Sequence, residues 1–109
     1  MKKPPLYSLI YITTKNEIEA VTLARLLIES RLAACANIVE SIRSLYCWKG
    51  KFHDEREALL ILKTKTSLVA KLITHAKKNH SYECPCIVSF PIEKGSAGFL
   101  KWIGEQVSC

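Results

Sequence analysis

The 109-residue chain has no run approaching the roughly 18 consecutive apolar residues of a membrane span, so no membrane role is expected. It has no CxxC among its five cysteines, Cys35, Cys47, Cys84, Cys86 and Cys109, so neither a zinc ribbon nor a thioredoxin-type site is indicated. That odd number argues against a disulfide framework and for a reducing, cytoplasmic setting. Glycine and proline number four each and form no linker, repeat or low-complexity tract. There is no G-x-S-x-G, HExxH or P-loop, so catalysis is not expected. The net charge of +6 is spread along the chain. Lys77-Lys78 is a short pair, where a dedicated basic arm needs a block of about five or six. With no aromatic-rich RNP1 pattern either, the sequence argues against nucleic acid as a partner. The basic start Met1-Lys2-Lys3-Pro4-Pro5 is not followed by an uninterrupted apolar stretch, so no secretory signal is inferred.

What is present is an ordinary globular balance, 49% hydrophobic and 24% charged, in a chain the size of one domain spanning 1–109. Residues 6–14 are β-branched, aromatic and almost continuously apolar, which predicts a strand buried on both faces. Asn16 followed by Glu19 reads as a capping box that opens a helix over 17–31, with Ala20, Val21, Ala24, Leu27 and Ile28 at helical spacing. Cys35 to Trp48 predicts a long strand interrupted near Glu40, and Lys49-Gly50 a tight hairpin. Residues 57–65 alternate as a second long strand, with Glu57, Leu59, Ile61 and Lys63 sharing one face. Thr66 or Ser67 is expected to cap a helix carrying Leu68, Val69, Leu72, Ile73 and Ala76, with Lys77 and Lys78 at its C-terminal end. Ile87 to Ile92 reads as a fourth strand, ended or placed at an edge by Pro91. A last helix begins near Ser96, and Trp102 and Ile103 are expected to pack it down. The order β-α-β-β-α-β plus a C-terminal helix predicts an α+β, ferredoxin-like sandwich. The long middle strands present edges open to another chain.

Four segments resemble the CutA divalent-cation-tolerance family in order and spacing along nearly the whole chain. They are Arg31-Leu32-Ala33-Ala34-Cys35-Ala36-Asn37-Ile38, Ser44-Leu45-Tyr46-Cys47-Trp48-Lys49-Gly50-Lys51, Leu62-Lys63-Thr64, and His80-Ser81-Tyr82-Glu83-Cys84-Pro85 with Pro91-Ile92 and Leu100-Lys101-Trp102-Ile103 behind it. The resemblance implies a ferredoxin-like fold and a tight homotrimer built by pairing strands between subunits. It also implies tolerance of divalent metals, with copper as the metal reported in the family, and no attached enzymatic reaction. Fold and trimeric plan also resemble the PII-type signal proteins, which gives a second reading: a regulatory or scaffolding trimer binding a small anionic effector or a partner protein. The chain departs from the family where Ile12-Thr13-Thr14 holds no cysteine, where Ser81 follows His80 in place of Pro, and where Cys86 follows Pro85 in place of Glu.

The candidate metal residues are His80, Glu83, Cys84 and Cys86. Two cysteines two apart point the same way in an extended segment, and two thiolates with an imidazole suit Cu(I) or Zn(II). Simple packing of small apolar thiols is the alternative. Tyr46, Trp48 and Lys51 are candidates for the trimer interface, an aromatic hairpin edge suited to a subunit contact or to cross-strand pairing alone. The resemblance places Lys63, Tyr82 and Glu83 near a cleft between subunits, where Lys63 beside Glu83 would hold an anion, a metal or only a salt bridge. His53 and His75 read as surface residues, and Cys109 as an exposed terminal thiol.

Overall fold

The computed structural model describes residues 5–107. The basic start and Cys109 lie outside them. Chain order is β1 (Tyr7–Thr14), α1 (Glu17–Glu29), β2 (Cys35–Trp48), β3 (Lys51–Lys65), a single 3-10 turn (Thr66–Leu68), α2 (Val69–Lys78), β4 (Ile87–Pro91) and α3 (Ala97–Gln106). The four strands form one antiparallel sheet ordered β2-β3-β1-β4, so the fold is the ferredoxin-like α+β sandwich with an added C-terminal helix.

Pleating decides which side chains meet the helices. Ile10 and Ile12 of β1 pair with Leu62 and Leu60 of β3, and all four are fully buried. Leu23, Leu27, Leu72 and Ile103 from the three helices close over them. The alternate residues, among them Leu9, Tyr11, Leu59, Ile61, Val88 and Phe90, form an opposite face that stays half-buried or exposed among the described residues. β1 is therefore buried on one face only within the chain, not on both as its composition predicts.

Asn16 accepts the Glu19 N–H at 2.9 Å, as the capping pattern predicts, while the Glu19 carboxylate takes the N–H of Lys15 at 3.0 Å. The helix stops at Glu29, two residues earlier than its apolar pattern suggests. Arg31 then turns the chain at φ 59°, and the N–H groups of Leu32 and Ala33 bond back to the Leu27 carbonyl. Four other expectations are corrected. Thr66 and Ser67 do not cap α2; the Thr66 hydroxyl donates to the Pro5 carbonyl and pairs with Ser8, tying the strand ends together. β3 begins at Lys51 rather than 57, because the hairpin pairs the whole charged stretch, and His53 lies half-buried on Tyr46 rather than free at the surface. Ile103 is buried as expected, but Trp102 stays 37% exposed and stacks on Phe99.

Candidate functional site

The hairpin positions the first half of the site. Lys49 and Gly50 have φ of 51° and 78°, the double positive φ of a two-residue turn whose twist matches its strands. This puts Trp48 opposite Lys51, Tyr46 opposite His53 and Ser44 opposite Glu55. The rings of Tyr46 and His53 stack at 4.9 Å, and the Tyr46 hydroxyl donates to Glu55 at 3.1 Å. Lys49 lies 5.7 Å from the centre of the Trp48 ring. A register shift between Val39 and Ile42, at the break expected near Glu40, separates this stem from the sheet body.

The second half is the segment between α2 and β4, held by His80 and Glu19. His80 Nε2 lies 2.8 Å from the Thr13 carbonyl, which can only accept, so Nε2 carries the proton. Its Nδ1 then accepts the Tyr82 N–H at 3.0 Å. Glu19 accepts the Ser81 N–H at 2.9 Å. Partial burial works to raise the Glu19 carboxyl, but the bonds from Ser81 and Lys15 and the nearby His80 outweigh it and hold the pKa below the usual range. So anchored, the segment directs Tyr82 at Glu57, whose carboxylate accepts the phenol at 2.8 Å. Burial first, then that bond and the Glu57 charge, push the phenol well above its ordinary pKa.

Between stem and segment lies a cleft of about 630 Å³, lined by Tyr11 and Thr13 of β1, Ser44 to Trp48 in part, Glu55 and Glu57 of β3, and Ser81 to Cys86 in part. Tyr46, Trp48, Tyr82, Glu83, Cys84 and Cys86 all line it, so the structure gathers six of the nine sequence candidates. Lys51 stands at the exposed turn. Lys63 lies outside the lining and donates to Asn37; the partner of Glu83 is Lys49, at 3.4 Å across the cleft mouth. The expectation for Lys63 and Glu83 concerns a cleft between subunits, and within one chain each has another partner.

The four metal candidates do not assemble as one ligand set. Both His80 nitrogens are engaged with the backbone, and among the described residues no three His, Cys, Asp or Glu side chains cluster as a metal site. Cys84 and Cys86 remain as exposed free thiols on the cleft wall. Burial and the Glu57 charge push the Cys86 thiol up, against a bond from Thr13, so it is protonated at neutral pH. Sequence reasoning missed Glu55, Glu57 and Glu19 as site residues. The available signal was Glu57 on the same pleat face as Leu59 and Ile61, an acid at a position where its neighbours are apolar.

Residues 8–106 match the family model described as CutA1 divalent ion tolerance protein. The chain is 43% identical over 102 residues to a CutA homolog of Danio rerio, covering 94% of this chain and 68% of that protein. It is 38% identical over 102 residues to Protein CutA of Homo sapiens, covering 94% of this chain but only 57% of that longer protein. Among solved structures, the periplasmic divalent cation tolerance protein CutA of Archaeoglobus fulgidus superposes with a TM-score of 0.91 at 41% identity, covering 94% of this chain and 100% of that one.

Proposed function

The chain belongs to the CutA1 divalent ion tolerance family, and from that premise we propose that it is a homotrimeric divalent-cation-tolerance protein, binding copper or another divalent metal in metal homeostasis. The observation that carries the metal reading is the pair of free thiols, Cys84 and Cys86, on the wall of an acidic cleft. Thiolates select soft ions such as Cu(I), and the neighbouring carboxylates favour any cation. Because Cys86 begins as a thiol, metal uptake there releases a proton and strengthens as pH rises.

The uncovered sheet face supports assembly. Val39, Val88 and Phe90 on it are 44%, 43% and 52% exposed, beside the half-buried Leu9, Tyr11, Leu59 and Ile61. Apolar surface of this kind is better buried against further copies than left in water. The aromatic hairpin edge at Tyr46, Trp48 and Lys51 supplies unpaired backbone for strand pairing between subunits. In such an assembly Lys63 reaches a cleft only from a neighbouring copy.

The proposed role is non-catalytic and cytoplasmic. A raised thiol pKa is the reverse of what an activated cysteine needs, and free cysteines suit a reducing compartment. The regulatory alternative, with an anionic effector, meets Glu55, Glu57 and Glu83 on the cleft lining and is disfavoured by their charge. The test is a Cu(I) titration of the reduced protein beside a Cys84→Ser/Cys86→Ser double variant. Stoichiometric uptake by the parent that disappears in the variant is expected; equal uptake by both contradicts the metal reading.

A further inference from the structure

The chain has three histidines, and one is wired differently from the others. His53 faces Glu55 at 3.4 Å, so a proton gained there adds attraction to a carboxylate. His75 is engaged through its backbone carbonyl, which takes the Asn79 side chain. The half-buried His80 instead has both ring nitrogens on backbone groups of two different elements. Nε2 donates to the Thr13 carbonyl of β1 at 2.8 Å, and Nδ1 accepts the Tyr82 N–H at 3.0 Å. An imidazolium has two donors and no acceptor. A proton on Nδ1 therefore sets two N–H groups against each other. It removes the Tyr82 bond and leaves the Thr13 bond in place.

The groups around the ring supply a second arrangement. From α1, the Glu19 carboxylate holds the Ser81 N–H at 2.9 Å and lies close enough to His80 for their charges to interact. From α2, the Lys77 carbonyl takes the His80 N–H at 3.4 Å, and the cations Lys77 and Lys78 are exposed on the last turn. From β1 comes the neutral Thr13 carbonyl. Within the segment, the Tyr82 ring lies 4.8 Å from the imidazole and is bonded onward to Glu57 of β3. Glu19 titrates below the usual carboxylate range and Tyr82 above the usual phenol range. Between about pH 8 and pH 5, an imidazole is the kind of group whose charge changes. We propose that His80 is an acid-operated latch. When neutral it holds the segment between α2 and β4 closed over the end of β1. When protonated at Nδ1 it exchanges the Tyr82 N–H for the Glu19 carboxylate and releases Tyr82. Release also frees the Tyr82 phenol from Glu57 and loosens the stretch that carries Cys84 and Cys86. Every contact of the latch lies within one chain, so its parts are complete before any neighbouring copy is added. It rests on neither the thiols nor a metal.

NMR of the reduced, chelator-treated full chain between about pH 8 and pH 5 gives two readings. The ring of His80 is followed through its two nitrogen shifts. Tyr82 is followed through the protection of its amide from hydrogen exchange, corrected for the intrinsic pH dependence. At the alkaline end the proton is expected on Nε2, with Nδ1 bare. As the ring gains its second proton, Tyr82 protection is expected to fall at least about tenfold with the same midpoint. Ile12, paired on both sides in the middle of the sheet, is expected to keep its protection. His80→Gln is expected to leave Tyr82 protection flat across the range. Glu19→Gln keeps an oxygen for Ser81 but removes the charge, and is expected to move the midpoint to lower pH. Tyr82 protection that stays constant while the ring titrates, or falls at a different midpoint, overturns the proposal. So does a ring that gains no second proton in this range, or one that carries its first on Nδ1. A fall shared by Ile12 overturns it too, because that reports general unfolding. The titration of the unaltered chain decides the matter even if His80→Gln does not fold.

Discussion

His80 is engaged at both ring nitrogens by backbone groups, Thr13 on one side and Tyr82 on the other. Its task is to fix the Tyr82–Cys86 segment over the end of β1, and the cleft chemistry falls to the side chains it positions. Glu19 closes the same segment from below, and its depressed pKa is linked to stability. A carboxyl whose folded pKa lies under its unfolded value stabilises the fold at pH above the unfolded value, and loses that contribution as pH falls through the folded one. Thermal unfolding followed from pH 7 down to pH 3 is therefore expected to show a falling melting temperature that is shallower in Glu19→Gln; parallel curves would show that Glu19 carries no such linkage. The sequence made His80, Tyr82, Glu83, Cys84 and Cys86 legible as a group because they are contiguous. It hid Glu57 and Glu55, whose role depends on a hairpin register and on a phenol 25 residues away along the chain.

At the scale of elements, the β2–β3 hairpin does most to shape the site, and its turn is demanding. Gly50 sits at φ 78° with nothing within 4 Å of where a Cβ would stand, so a substitution there meets conformational strain and no clash. Gly50→Ala is expected to lower unfolding free energy by about 1 kcal/mol, with Gly50→Asn milder because Asn tolerates the left-handed region. Chemical denaturation of the three proteins checks this, and an unaltered midpoint for Gly50→Ala would contradict the turn assignment. The strands, the first cap, the break near Glu40 and the final helix were readable from periodicity and turn residues. What misled was context. The charged stretch 51–57 looks like a loop until pairing with β2 makes it strand, and Thr66 resembles a cap until the Pro5 carbonyl takes its hydroxyl.

Across the whole molecule, two features stay incomplete in one chain. The hairpin extends past the bulge, and the radius of gyration is 14.6 Å, against about 13 Å for a compact domain of this length. The sheet also leaves the Leu9, Tyr11, Ile61, Val88 and Phe90 face without cover. An almost continuously apolar strand such as 6–14 reads as buried on both sides, and the second cover, absent among the described residues, is what a trimer would supply. Fold and family were therefore legible in the sequence, whereas the partner of the open face was legible only as an unpaired edge. Native mass spectrometry of the reduced protein, with Cu(I), Cu(II) and Zn(II) added in turn, tests assembly and metal uptake together. The expected result is an assembly of three 12.3 kDa chains that takes up Cu(I) in proportion to its subunits; a monomer, or a trimer that acquires no metal from any of the three, would contradict it.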